Sequence, residues 1–436
     1  MTKKAVFREF IKYVGLSVAA MVCFSIYILA DTWFVSRALG SNGLTALNIS
    51  IAVFGVMHSF GLMIGIGGAT HYAILKSKGK NADAVFTHAI VHSLLIAAIF
   101  VTVGIFLTPQ VAGLLGAKGE ILPMAVSYIR TILLASPIFF VNNILIAFVR
   151  NDNNPKLAMA GMVTASIANI IFDYIFLFHW HLGMFGAALA TCLAFMLSLI
   201  IVSSHFWTKN NRLKLSKCKI RIRELLTMDS LGSSALINEL AFAVSLIVFN
   251  LVILGIEGNI GVAAYGVVAN IAMVVITIFT GIAQGIQPLI SIGYGLGDRF
   301  LVRQTLRYAL ITVSVIVLFV YIIIYFYASR ITSMFNSEAD AVFASLATHG
   351  LRVYFIGLLF AGVNFVVSAF FSASDSAKEA VAISILRSCV INIPMVIILG
   401  AVFGMSGVWS AFIATELVVA LAAAVLLCLK FKTKRH

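Results

Sequence analysis

The chain has 436 residues, of which 61% are hydrophobic and 11% are charged, and its formal net charge is +14. Soluble globular proteins carry about 25% charged residues, so this composition excludes a soluble domain. The basic excess would suit a nucleic-acid partner, and the positions of the Lys and Arg residues decide that question.

Twelve apolar runs are long enough to cross a bilayer, which takes about 20 residues in a helix. They lack the alternation of strands, and only helices or closed barrels satisfy their backbone in lipid, so we predict helices. The predicted spans are 13–38, 45–75, 84–107, 121–150, 156–178, 183–206, 227–254, 260–292, 303–326, 340–372, 378–402 and 405–429.

The basic residues are distributed asymmetrically between alternate loops. If the N-terminus is cytoplasmic, 24 of the 30 Lys and Arg residues fall in cytoplasmic segments and three in outer loops. The other three, Arg130, Arg352 and Arg387, lie inside spans. This asymmetry follows the positive-inside rule and predicts a multi-pass protein of the cell membrane with both termini cytoplasmic. The basic excess is therefore assigned to the membrane surface, and no nucleic-acid partner is expected.

The two halves of the chain resemble each other. Arg130 matches Arg352 and Asn142 matches Asn364, both at an offset of 222 residues, on either side of a basic linker. Six spans separate the copies, so both have the same orientation. We predict an all-α integral membrane fold with two six-helix lobes related by a pseudo-two-fold axis along the membrane normal. The predicted domains are an N-terminal lobe (1–206), a cytoplasmic basic linker (207–226) and a C-terminal lobe (227–436).

Two aspartates lie inside spans of the N-terminal half, where each costs roughly 2.5–3.5 kcal/mol on insertion scales and therefore indicates a function. Asp31 lies near the outer end of helix 1 and Asp173 near the outer end of helix 5. Asn169 is one turn deeper on the same face of helix 5, and Thr191 reaches a similar depth on helix 6. Their oxygens suit a hard monovalent cation such as Na⁺, or a shared proton. The alternative is a static ion pair of the aspartates with Arg130.

Other polar residues inside spans are candidates for a substrate cavity, and no other metal site is predicted. Glu239 and Glu416 are the acids in the interior of the C-terminal spans, away from the span ends. Gln284 and Gln287 lie at a proline-containing bend in helix 8. The candidate cavity residues are Glu239, Asn142, Gln284, Gln287 and Arg130. No GxSxG, HExxH or Walker motif is present, so an enzyme is not expected.

Several motifs resemble those of the multidrug and toxic compound extrusion (MATE) family, and the resemblance covers nearly the whole chain. The motifs are ADTWFVSRALG at 30–40, GIGGATHYAILKSKGK at 65–80, NIIFDYIF at 169–176, HLGMFGAALAT at 181–191, and AAYGVVANIAMVVITIFTGIAQGIQPLISIGYGLGD at 263–298.

The resemblance implies a monomeric secondary antiporter that exports small cationic or amphipathic compounds in exchange for H⁺ or Na⁺, without a cofactor. The DinF-like branch of the family has an N-lobe cation site, whose motif Asp31, Asn169, Asp173 and Thr191 match. The other branch uses an acid on helix 10, which this chain lacks. Two alternatives remain: a lipid-linked precursor flippase of the same superfamily, which needs a strongly basic cavity, and a membrane-embedded transferase.

Overall fold

The structure is a computed structural model that describes residues 2–209, 211–335 and 340–433, except for the side chains of residues 242, 243 and 433. Nine segments of the described chain are long and apolar enough to cross a membrane, counting one bent helix pair as a single span. Three of the nine each consist of two helices that meet at a glycine. The described residues therefore form twelve spans, as the hydropathy predicts.

The spans follow one another with short connections. The first six are α1 and α2 (Lys3–Ser77, divided at Gly40), α3 (Asp83–Phe106), α4 (Ile121–Leu134 and Ser136–Asn151), α5 (Pro155–Tyr174, continued by a π-helix at Ile175–His179) and α6 (Gly183–Ser203). They are followed by α7 and α8 (Ile222–Leu296, divided at Gly258), α9 (Arg299–Phe335) and α10 (Ala341–Ala373). The last two are α11, which begins with Ala377–Ile385 and a π-helix at Leu386–Val390, and α12; Gly404 divides them within the helix Asn392–Thr433. A short helix, Thr108–Leu114, and a 3₁₀ turn, Ser204–Trp207, lie outside the spans.

Single glycines replace the loops predicted near 39–44 and 255–259. Gly40, Gly258 and Gly404 have φ of 65°, 62° and 60°, a left-handed conformation that glycine adopts without a Cβ clash. Each glycine turns the chain sharply while both neighbouring residues stay helical. The predicted spans therefore end too early at these places, because hydropathy marks only the part of a helix that lies in hydrocarbon.

Span α4 is bent, which its apolar run did not reveal. Its two helices meet at Ala135 with a bend of 52°. Pro137 stands in the first turn of the second helix. Proline has no N–H, and its ring clashes with the preceding turn, so a straight helix cannot continue through it.

The spans cluster into two compact units. The N-terminal unit comprises Ile11–Glu239 and Ser291–Asp298, and the C-terminal unit comprises Met1–Phe10, Leu240–Ile290 and Arg299–His436. In the N-terminal unit, aromatic rings fill the core between α3 and α4, where the ring centres of Phe86 and Phe148 are 5.1 Å apart. In the C-terminal unit, Tyr354 of α10 stacks on Phe412 of α12 with ring centres 4.1 Å apart.

Helices α2 and α7 cross within the N-terminal unit at two glycines. A methyl group on Gly67 would overlap the carbonyl oxygen of Met228, and one on Gly232 would overlap the carbonyl oxygen of Met63. Small residues let helix backbones approach this closely in membranes, where dispersion contacts drive helix association.

We expect Gly232→Ala and Gly67→Ala each to destabilise the protein by about 1–3 kcal/mol, because the added methyl group forces the two backbones apart. The measurement is the unfolding temperature of the detergent-solubilised protein. Gly15→Ala is the control, since no atom lies within 4 Å of its Cβ position. Equal unfolding temperatures for all three variants would contradict the packing argument.

A buried charged cluster joins the α4–α5 connection to the linker. Asp152 accepts hydrogen bonds from Lys76 Nζ (3.2 Å), His205 Nε2 (3.0 Å) and the Arg212 amide (2.7 Å). Tyr72 donates to the Arg212 carbonyl at 3.2 Å. Burial by itself would raise the pKa of Asp152, but the bonds from His205, Arg212 and Lys76 outweigh it, so the pKa lies below its ordinary value.

We expect Asp152→Asn to cost about 1–3 kcal/mol of stability at neutral pH, because the amide cannot satisfy every donor of this cluster. A lowered folded-state pKa means that the carboxylate stabilises the fold fully above its ordinary pKa of about 3.9, and that this stabilisation is lost as the pH falls through the folded pKa. The gap in unfolding temperature between wild type and variant should stay constant from pH 8 to 5 and close in stronger acid. A gap that instead grows towards low pH would refute this assignment.

Candidate functional site

Four polar side chains predicted from the sequence are buried in the N-terminal unit. Asp31 of α1 is 6% exposed, Asp173 of α5 is 0% exposed, and Asn169 and Thr191 are also buried. Asn169 Nδ2 donates to Thr191 Oγ1 at 3.2 Å, which joins α5 to α6. Thr191 Oγ1 donates in turn to the Ala187 carbonyl at 3.3 Å.

The carboxyl groups of Asp31 and Asp173 lie within hydrogen-bonding reach of each other. A carboxylate only accepts hydrogen bonds, so the two are bonded only when one of them carries a proton. With both ionised, Asp31 Oδ1 and both oxygens of Asp173 accept no hydrogen bond from the described residues. Two adjacent carboxylates in low dielectric repel each other, so the pair favours a bound proton or cation.

The donor set of the site consists of oxygens. Asn169 uses its nitrogen to bind Thr191, and its Oδ1 has no hydrogen-bond partner among the described residues. That amide oxygen and the carboxyl oxygens of Asp31 and Asp173 are hard ligands of the kind that suit Na⁺. No group of three or more His, Cys, Asp or Glu side chains within the described ranges could hold a metal ion.

Two tyrosines that the sequence analysis missed flank the carboxyl pair. Tyr27 and Tyr128 are buried, and both interact electrostatically with Asp31 and Asp173. The Tyr128 hydroxyl also interacts with Thr191. Tyr27 stands four residues before Asp31, so helical spacing could have identified it, whereas nothing in the sequence places Tyr128 of α4 here.

The predicted alternative of an ion pair with Arg130 has no support from the described residues. The Arg130 side chain is exposed, and the ion pairs found in the described part of the chain do not include it. Its repeat counterpart, Arg352, is exposed as well.

The residues predicted to line a substrate cavity have different environments. Asn142 of α4 is 1% exposed, and its Oδ1 has no hydrogen-bond partner among the described residues. Glu239 is exposed on α7. Gln284 and Gln287 are buried on α8, in the C-terminal unit.

The C-terminal unit holds a buried ion pair that the sequence analysis did not predict. Arg387, in the π-helical segment of α11, donates to Glu416 Oε1 of α12 at 2.7 Å. Asn364 of α10 donates to Glu416 Oε2 at 2.7 Å, and the guanidinium lies 4.2 Å from the Phe365 ring centre. The charges of Arg387 and Glu416 cancel locally, so this acid differs from Asp31 and Asp173, which have no ion-pair partner in the described ranges.

Twelve spans in two units, with buried carboxyls in one of them that no described basic residue compensates, define a polytopic membrane transporter. The chain belongs to the MatE family, whose model matches residues 17–175 and 235–398. This membership confirms the predicted family and the all-α twelve-span class, and it identifies the chain as a transporter rather than an enzyme. Transporters of this family need no cofactor.

Known relatives match over almost the whole chain. The multidrug export protein MepA of Staphylococcus saprophyticus is 28% identical over 97% of this chain and 93% of its own length. A multidrug resistance MATE family transporter of the MOP superfamily, solved in an outward-facing conformation, aligns with a TM-score of 0.92 at 22% identity, covering 98% of this chain and 96% of its own. A MOP superfamily transporter of Pyrococcus furiosus, described as having a binding pocket of reverse polarity, aligns with a TM-score of 0.90 at 23% identity, covering 100% and 97%.

Proposed function

We propose that this protein is a secondary active multidrug efflux antiporter that exports small cationic and amphipathic compounds in exchange for H⁺ or Na⁺. The observation that carries the proposal is the buried pair Asp31 and Asp173: when both are ionised, three of their four carboxyl oxygens accept no hydrogen bond from the described residues. The similarity to multidrug export protein MepA supports the substrate class. We further propose that the protein is a monomer in the cell membrane with both termini cytoplasmic. Its two lobes would comprise residues 1–206 and 227–436, joined by the linker 207–226.

The proposed coupling site consists of Asp31, Asn169, Asp173 and Thr191, and we propose on this basis that the chain belongs to the DinF-like branch. A proton shared by the carboxyls, or a cation bound by them and Asn169 Oδ1, neutralises the repulsion between the two acids. The loaded and empty sites then favour different arrangements of the helices, and a substrate that prefers one arrangement is coupled to the ion. The exchange needs no covalent chemistry, only different affinities in the two states.

Asn142 is proposed as a substrate contact on the same unit. Its unpaired Oδ1 is a buried acceptor, and leaving such an atom without a partner costs about 1–3 kcal/mol. A protonated amine on the substrate would supply the missing donor.

The coupling ion is tested with the purified protein in lipid vesicles. The vesicles contain ethidium and carry either a pH gradient or a sodium gradient of equal size, each with the membrane potential clamped. We expect one of the two gradients to drive ethidium movement and the other to be inactive. Movement under neither gradient would refute the antiporter proposal.

The flippase alternative has less support. A pyrophosphate-bearing lipid would need free guanidinium groups inside the membrane. Only three arginines lie in the interior of the predicted spans, away from the span ends, too few for a strongly basic cavity, and one of them, Arg387, is paired with Glu416. Movement of a fluorescent lipid pyrophosphate by the same vesicles, without ethidium movement, would reverse this preference.

A further inference from the structure

The linker is an ordered surface segment. Residues 211–221 form neither helix nor strand, yet their backbone is bound to the N-terminal unit at three places. The Arg212 amide is bound by Asp152, the Ser216 amide donates to Thr87 Oγ1 at 2.9 Å, and the Arg221 amide donates to His88 Nε2 at 3.2 Å. We call residues 211–223 the basic strap.

The backbone bonds leave most side chains of the basic strap in contact with solvent. Six basic residues of the strap are exposed, and none of them makes an ion pair with a described residue: Arg212, Lys214, Lys217, Lys219, Arg221 and Arg223. The strap contains no acid. Its charge is therefore not neutralised by the described part of the chain.

Apolar side chains alternate with these cations. Leu215 is 68% exposed, Ile220 is 53% exposed and Ile222 is 72% exposed. Trp207, just before the strap, is exposed as well. Cations interspersed with exposed aliphatic and aromatic side chains are the composition of segments that lie in a lipid headgroup layer. Acidic proteins or nucleic acids would use the charges and leave the apolar groups in water.

The position of the strap agrees with this composition. It connects the end of α6 to the start of α7, so it lies where membrane spans emerge from the bilayer. We propose that the basic strap binds the headgroups of anionic phospholipids in the cytoplasmic leaflet, with Leu215, Ile220 and Ile222 inserted between the lipids. This proposal rests on the cytoplasmic placement of the linker and not on the transported substrate or the coupling ion.

Cys218 provides a reporter at the centre of the strap, since its side chain is exposed. In a full-length variant that keeps only this cysteine, its maleimide labelling rate is measured in vesicles of phosphatidylcholine alone and in vesicles with a third phosphatidylglycerol. We expect labelling at least about fivefold slower with the anionic lipid, because each basic residue near such a surface adds to the attraction. Equal rates in both vesicles would overturn the proposal.

Two variants separate specific lipid binding from a general charge effect. One replaces Lys214, Lys217 and Lys219 with Gln, and the other replaces the exposed Lys3, Lys4 and Arg8, which removes the same net charge elsewhere. Retention of phosphatidylglycerol by the purified protein should fall about tenfold or more for the first and little for the second. Equal losses in the two variants would refute a strap-specific site.

The apolar side chains are tested with Leu215→Ser combined with Ile220→Ser. In this variant we expect Cys218 to be labelled as fast in anionic vesicles as in phosphatidylcholine vesicles. Its weak binding of free inorganic phosphate should be the same as that of wild type. Unchanged protection would show that no insertion occurs and would overturn that part of the proposal. A separate labelling of intact cells with an impermeant maleimide checks the cytoplasmic placement, where wild-type topology predicts that Cys218 is protected.

Discussion

Efflux of ethidium should fall to the background of pump-deficient cells when Asp31 or Asp173 is replaced by Asn. Each replacement keeps the volume and a hydrogen-bonding oxygen but removes the charge and the proton. Because the carboxyls are buried beside each other, loss of either one leaves a site that neither shares a proton nor attracts a cation. The measurement is dye efflux at matched protein amounts in the membrane.

The control for the two aspartate variants is Glu257→Gln, which removes an exposed acid at the end of α7 and should leave efflux unchanged. Full efflux by both aspartate variants would show that the coupling site is elsewhere, and Glu239 would be the next acid to test. Loss of efflux in the Glu257 variant would indicate a general requirement for charge rather than a role for the buried pair.

Breaking the buried pair Arg387–Glu416 should have the largest effect on stability. Removal of one partner leaves an uncompensated charge in the membrane interior, which costs about 3–5 kcal/mol. We therefore expect Arg387→Met and Glu416→Gln each to lower the unfolding temperature strongly. In both single variants residue 416 keeps an acceptor oxygen for Asn364, so the expected loss comes from the uncompensated charge and not from a lost hydrogen bond to Asn364.

The double variant, Arg387→Met with Glu416→Gln, distinguishes a paired charge from two independent contributions. No unpaired charge remains in it, so it should be more stable than either single variant. Purely additive losses would mean that the two side chains do not depend on each other. Arg352→Met is the matched control, because this intramembrane arginine is exposed.

The number of spans and their positions along the chain could be predicted because hydropathy is a local property of the sequence. The twelve apolar runs correspond to the twelve spans, and the polar residues of the predicted coupling site are buried. The bends were not predictable from hydropathy. Gly40 and Gly258 each connect two spans through one residue in a left-handed conformation, whereas the apolar pattern indicated loops of several residues.

The partners of the polar side chains were only partly predictable. Helical spacing puts Asn169 and Asp173 on one face of α5, and this is a property of a single helix. Contacts between helices depend on the rotation and tilt of each helix, which apolar residues on all sides of a span do not specify. For this reason Tyr128 was missed beside Thr191, and Arg130 was considered as a partner of the aspartates although its side chain is exposed.

The order of residues along the chain is enough to establish an integral membrane protein, the number of its crossings, and which acids lie inside the spans. These properties follow from the cost of transferring each residue into hydrocarbon, which depends on the residue and its neighbours along the chain. Helix packing, in contrast, is what brings Asp31 and Asp173 into one site, with no basic partner among the described residues, and neutralises Glu416 with Arg387. A charge is compensated by whichever side chain the packed helices bring within about 3 Å, and residues far apart in sequence meet only once the helices have packed.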